Sequence, residues 1–226
     1  MKYFPISLNI TDRKCTVIGG GRVAARKTRA LLDCGGAVTV ISPELTKALQ
    51  KMLAEQLISW QKREYQPGDL AGSFVVIAAT DDAVVQKEVY GEAEGNGQLV
   101  NVADVPEFCN FILPATVKRN DLTISVSTAG KSPALASKIR QNLESVVGRE
   151  YGQLVDILGL LRQEVLKHSR PHEENKLVFA NLLHDDFVDW IRESNWFMIE
   201  KHLTDTLGRD IDQELMKTIK GKLDSD

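Results

Sequence analysis

Gly19, Gly21 and Ala24 form a G-x-G-x-x-A pattern in the run Cys15-Thr-Val-Ile-Gly-Gly-Gly-Arg-Val-Ala24. A short apolar stretch precedes the pattern and a helix-forming stretch follows it. Each small residue has a task in holding a dinucleotide. Gly19 permits a tight strand-to-helix turn, Gly21 offers no Cβ to an approaching pyrophosphate, and Ala24 lets the helix lie close to a sheet. Arg22, Val23 and Ala24 open the helix, where free N–H groups and the positive end of the dipole attract phosphate. A Gly-rich turn without a ligand is the plainer alternative; the order strand, turn, helix favours the dinucleotide.

A second strand should carry the ribose contacts. Helix residues Arg22 to Asp33 end at Gly35-Gly36, a pair suited to a left-handed C-cap. Ala37-Val-Thr-Val-Ile41 then reads as a buried parallel strand. An acid at its end would bind the adenosine ribose, but Ser42 stands there, followed by Pro43 and Glu44. Ser42 or Glu44 can contact the ribose; Glu44 equally suits the first turn of a helix. No Arg directly follows this strand to receive a 2′-phosphate, which favours NAD over NADP, with Arg22 keeping NADP open.

These residues need a parallel sheet to position them. Up to about residue 112 strands alternate with helices. A helix over 44–55, a strand over 57–61, the strand 73–79, a helix over about 82–94 and the strand 99–103 complete a doubly wound, Rossmann-type α/β set. The carboxyl ends of its strands carry Gly19–Gly21, Ser42, Thr80–Asp82 and Asn101–Asp104, and such ends form one crevice. Asp81 or Asp82 should cap the following helix, leaving Thr80 to line the cofactor together with Asn101.

The pattern then changes. Residues 112–117 and 122–126 are rich in β-branched types and flank Lys118-Arg-Asn-Asp121, which predicts a hairpin. Two strands are rarely stable alone, so the hairpin should pair with something, such as a second subunit. Ser132 and Pro133 suit the N-cap and first position of a helix over 134–147. From Tyr151 onward the periodicity is helical throughout. This gives a dinucleotide domain over 1–112, a small hairpin-helix dimerisation segment over 113–148 and an all-helical domain over 149–226.

Global properties narrow the class. The chain has 226 residues and a net charge of −3, which gives no general reason to expect nucleic acid. Cys15, Cys34 and Cys109 show no C-x-x-C spacing, as expected of free thiols in a reducing cytoplasm. Neither an apolar leader nor a run of membrane-spanning length occurs. His168, His172, His184 and His202 lack consistent metal-ligand spacing, and no protein metal site is expected. The tail from Gly221 should fray.

Taken in order, Val17-Ile-Gly-Gly-Gly-Arg-Val-Ala-Ala-Arg-Lys27, Ile77-Ala-Ala-Thr-Asp-Asp82, Asn101-Val-Ala-Asp104 and Ser125-Val-Ser-Thr-Ala-Gly-Lys-Ser-Pro133 resemble the precorrin-2 dehydrogenase and sirohydrochlorin ferrochelatase family, the N-terminal half of siroheme synthases. The resemblance covers residues 3–148 well and the helical tail loosely. It implies an intertwined homodimer that uses NAD to oxidise precorrin-2 to sirohydrochlorin, with ferrous iron insertion in some members. It also implies a catalytic role for Asp104, which occupies the aspartate position of the family's Asn-Val-x-Asp motif. Without the resemblance, a loop aspartate capping its own backbone would be the simpler reading.

A tetrapyrrole polycarboxylate needs N–H donors and a basic rim. Gly130 and Lys131, with Thr128 and Ser132, lie at a helix N-terminus and are candidates for gripping carboxylates. The Ala-Gly-Lys-Ser132 stretch also resembles the end of a P-loop, but Ser125 stands where that loop requires glycine. Thr128 occupies the position of a phosphorylatable serine in a fused siroheme synthase. Two other readings stay open: a non-catalytic NAD sensor, and a Rossmann oxidoreductase with a different acid–base set.

Overall fold

In the computed structural model of the protein, residues 3–167, 171–208 and 211–224 are described. The chain divides into two compact units, residues 1–113 and 114–226.

The first unit is a five-stranded sheet. Its strands are β1 (Lys14–Ile18), β2 (Ala37–Ile41), β3 (Ile58–Gln61), β4 (Val75–Ala78) and β5 (Leu99–Val102), in the spatial order β3-β2-β1-β4-β5. All four pairings are parallel. Parallel sheets are covered on both faces, and the strands show it: all four residues of β4 are buried. Helices α1 (Arg22–Leu32) and α2 (Lys47–Ala54) contribute Ala24, Ala25, Leu31, Leu49 and Met52 to one core cluster. Helix α3 (Ala83–Gly95) contributes Val89 and Ala93 to a separate cluster with Tyr65, Leu70 and Val100. Burial pushes the Cys15 thiol up to about 11, so this strand cysteine is an inert core residue. Cys34, by contrast, is exposed.

The helix ends follow the predicted chemistry with one shift. Gly35 is left-handed (φ 75°), and Gly36 N–H donates to Leu31 O at 3.0 Å, closing α1. Asp82, not Asp81, caps α3 by accepting from Val84 and Val85 N–H. Helix α2 starts at Lys47 behind Thr46 and has no acid in its first turn. Glu44 therefore lies ahead of the helix, not within it, because the Ser42 hydroxyl folds the intervening loop back on itself by donating to Glu44 O.

The second unit opens with β6 (Ala115–Arg119) and β7 (Leu122–Val126), an antiparallel pair joined by the two residues Asn120-Asp121. The turn is tighter than the four-residue loop expected. Asn120 adopts φ 50°, a conformation asparagine tolerates, and this lets Lys118 and Arg119 remain in the strand. Helix α4 (Pro133–Val146) follows behind the Ser132 N-cap, which accepts from Leu135 N–H at 3.2 Å.

Helices α5 (Glu150–Lys167), α6 (His172–Leu182), α7 (Phe187–Arg192), α8 (Trp196–Leu207) and α9 (Gln213–Asp224) bury Leu154, Ile157, Leu161, Phe187, Leu203 and Ile219 in one cluster. Leu166 and Leu183 match the helical period but are exposed. The tail expected to fray from Gly221 is helical through Asp224; residues 225 and 226, like His168, lie outside the described residues.

One ion pair inside this unit yields a stability prediction. Arg192 donates to Glu150 Oε1 at 2.6 Å. Burial pushes the Glu150 carboxyl up, but the Arg192 hydrogen bond, a backbone hydrogen bond and the charges of Arg192 and Arg119 together outweigh it and hold the group below its ordinary value. A lowered folded-state value stabilises above the unfolded value, and the contribution disappears as pH falls through the folded one. Glu150→Gln should lower stability by about 1–2 kcal/mol at neutral pH, read from urea unfolding. The difference from wild type should vanish in acid.

Candidate functional site

The glycine cradle lies at the carboxyl end of β1. Gly19 has φ 110°, and a Cβ on it would meet Ala79 O at 2.3 Å. Gly20 is as restricted: its Cβ would meet Glu44 O at 1.8 Å. Gly21 differs. It is the N-cap of α1, with ordinary extended dihedrals and no side-chain cap bond, and a Cβ on it would meet no atom within 4 Å. The first two glycines thus press the turn against the β2 and β4 loops, while the third opens to solvent above the uncapped N–H groups of Arg22, Val23 and Ala24. An uncapped helix start with open space before it fits a pyrophosphate.

The loop after β2 closes one side. Ser42 is buried; its hydroxyl donates to Glu44 O at 2.6 Å, and its carbonyl accepts from Trp60 Nε1 at 2.9 Å. The Ser42 hydroxyl therefore shapes the loop. Pro43 and Glu44 are exposed, so the Glu44 carboxylate is open to a ligand. On the other side, Thr80 Oγ1 accepts from Asp82 N–H at 3.3 Å, and Thr80 O accepts from Gln86 Nε2 at 2.7 Å. Thr80 is half-buried, with its backbone against Gly19.

The loop after β5 carries the acid. Ala103 N–H still donates to Ala78 O at 2.8 Å, so the loop leaves directly from the sheet edge. Asp104 comes next, left-handed at φ 63° and exposed. An L-residue with a polar side chain occupies this region at a cost of order 1 kcal/mol, and such outliers cluster where function requires them. The loop is laced back onto β5. Asn110 accepts from Val100 N–H and donates to Gln98 O, both at 2.8 Å. The Cys109 Sγ lies 3.3 Å from Val102 N and 3.2 Å from Val102 O. Asn101 is buried, and its amide is committed: Oδ1 accepts from Lys27 Nζ at 2.6 Å, and Nδ2 donates to Phe111 O at 3.1 Å.

In the second unit, residues 128–132 form a compact loop. Thr128 O accepts from Lys131 N–H at 3.0 Å, and Thr128 Oγ1 accepts from Ser132 N–H at 3.1 Å. Ala129 and Gly130 are both left-handed. Gly130 and Lys131 are exposed, whereas the Thr128 and Ser132 side chains cap backbone N–H groups. Among the described residues, no three His, Cys, Asp or Glu side chains converge as metal ligands, and no helix is long and apolar enough to cross a membrane.

Three contributors are not visible in the sequence alone. Gly20 occupies a variable position of the fingerprint, so only the Glu44 contact reveals its constraint. Lys27 lies in the glycine-rich run, yet nothing local announces that its side chain reaches β5. Asn110 follows Asp104 closely but lies outside the quoted motifs, and nothing local announces its two bonds to β5 and the residue before it.

Sheet order and cradle together define a Rossmann-type dinucleotide-binding protein. Comparison with known proteins agrees. Residues 6–115 match a family described as "Putative NAD(P)-binding", and residues 119–145 match one described as "Sirohaem biosynthesis protein central". Siroheme synthase of Nitrosococcus oceani is 41% identical over 191 residues, covering 84% of this chain and 41% of that protein. Siroheme synthase of Methylobacillus flagellatus is 38% identical, covering 80% of this chain and 39% of that protein. The chain thus spans well under half the length of these curated relatives. A solved structure described as "SirC, precorrin-2 dehydrogenase" superimposes with a TM-score of 0.75 at 26% identity, covering 88% of this chain and all of that one. The chain belongs to the family that groups siroheme synthases with precorrin-2 dehydrogenase.

Proposed function

We propose that the protein oxidises precorrin-2 to sirohydrochlorin with NAD, within siroheme biosynthesis. One observation carries the reading: Asp104, held left-handed, lies on the same carboxyl edge of the sheet as the glycine cradle. The oxidation removes a hydride and a proton from the macrocycle. When bound, the nicotinamide supplies the hydride acceptor. Asp104 takes the proton as general base, and the lacing by Asn110 and Cys109 keeps its loop in place. Glu44 favours NAD, since a carboxylate beside the ribose repels a 2′-phosphate. The exposed N–H donors and ammonium at Gly130 and Lys131 suit substrate carboxylates.

The test is anaerobic incubation with precorrin-2 and NAD, followed by absorbance. Sirohydrochlorin should form with one NADH per turnover, and no NADH above a protein-free control would refute the reading. A parallel arm with sirohydrochlorin and ferrous iron, against a protein-free control, tests whether the chain also inserts metal.

The reading extends to a cytoplasmic homodimer that pairs through the 113–148 segment. The β6–β7 ribbon is a two-stranded sheet of its own, and Leu135, Ile139 and Val146 leave apolar surface exposed on α4. Ribbons of two strands need further pairing for stability. Sedimentation at micromolar concentration should report a dimer; an active monomer would remove this assignment.

A further inference from the structure

Lys27 is the unexplained charge of the crevice. It projects from α1, is half-buried, and gives one hydrogen bond among the described residues, to the neutral Asn101 Oδ1 at 2.6 Å. An ammonium has three donors, so two are left unfilled. No carboxylate lies within ion-pair distance of it among the described residues. Desolvation by burial lowers its pKa, as does Arg26, while Cys109 and Asp104 act in the opposite direction. A half-buried cation with no carboxylate in contact is costly, and such groups persist where a ligand completes them. Its anchor, Asn101, places it at the carboxyl end of β5, three residues before Asp104.

We propose that Lys27 binds a carboxylate of the tetrapyrrole substrate, with Asn101 Oδ1 holding the ammonium in place and the two remaining N–H groups receiving the ligand. The assignment rests on the substrate reading given above and deepens it. A charge-assisted hydrogen bond in a partly desolvated place orients a polycarboxylate that exposed lysines would hold only loosely. Asn101 then serves the substrate through Lys27, and its amide is taken up within the protein instead of lining the cofactor.

The experiment is a direct titration of sirohydrochlorin into the full chain, followed by absorbance, for wild type, Lys27→Met, Lys27→Arg and Asp104→Ala. NADH is titrated separately by fluorescence. Lys27→Met should weaken sirohydrochlorin about tenfold, the size of one charge-assisted hydrogen bond, and Lys27→Arg should recover most of that loss. NADH affinity should stay within about twofold of wild type in both. In turnover, Lys27→Met should raise the KM for precorrin-2 and leave kcat nearly unchanged, a split that a general structural defect would not produce. Unchanged sirohydrochlorin affinity in Lys27→Met overturns the assignment alone. So does a loss confined to NADH, which would make Lys27 a cofactor ligand. Failure of wild type to bind sirohydrochlorin at all removes the substrate reading, and this assignment with it.

Discussion

Gly21→Asp is expected to abolish NAD binding while leaving the fold intact or firmer. The two effects have opposite signs for one reason. Gly21 is the N-cap of α1, its dihedrals suit any L-residue, and a Cβ there meets open space. Aspartate is among the best N-cap residues, so its carboxylate should accept from the vacant N–H groups of the first turn and stabilise the helix by up to about 1 kcal/mol. Those same donors are the proposed pyrophosphate site. A carboxylate seated on them both fills the site and repels the phosphates, which should weaken NAD by roughly 100-fold or more. Calorimetry measures the affinity and thermal unfolding the stability. Gly20→Ala is the contrasting control: its methyl would collide with Glu44 O, so it should damage the fold itself. Undiminished NAD affinity in Gly21→Asp would remove the cradle from the binding site.

The second large effect is expected at Asp104. Asp104→Ala should bind NAD normally and lose about two or more orders of magnitude in the rate of precorrin-2 oxidation, the usual size of a general-base contribution. Alanine is less tolerant than aspartate of φ 63°, so the loop would suffer along with the chemistry. Asp104→Asn separates the two: asparagine accepts the left-handed conformation readily but cannot take the proton. Both variants should be equally slow. Recovery of activity in Asp104→Asn would mean that loop geometry, not proton transfer, sets the rate.

Much of this site is legible in the residues. The G-x-G-x-x-A run and the Ser132-Pro133 helix start are short-range signals written in local backbone chemistry, whereas Asp104 stands out only through the family resemblance. Contacts that depend on distant elements are not legible. Ser42 and Glu44 look interchangeable in sequence, and only the fold shows the serine buried and bonded while the glutamate side chain is exposed. Asn101 lies at a strand end, where cofactor ligands are common, but its amide is taken up by Lys27 and Phe111. The hairpin begins at Ala115, later than the composition of Ile112-Leu-Pro suggests, because Pro114 has no N–H to give to a ladder. In each case a feature outside the local pattern decides what that pattern leaves open.

The position of β1 at the centre of the sheet has a consequence for how the protein comes into being on the ribosome. Cys15 pairs with Val38 on one side and Val75 on the other. The cradle strand emerges first, gains one neighbour soon after, and waits for the second until the whole stretch through β3 has been made. The switch point between β1 and β4 is therefore among the last parts of the sheet to close, and non-local parallel pairing of this kind is slow. During that interval an apolar strand edge stands open, the kind of surface that chaperones shield and that aggregates when crowded. Dinucleotide present during synthesis should have no purchase on the nascent chain and should raise yield only after β4 has emerged and docked.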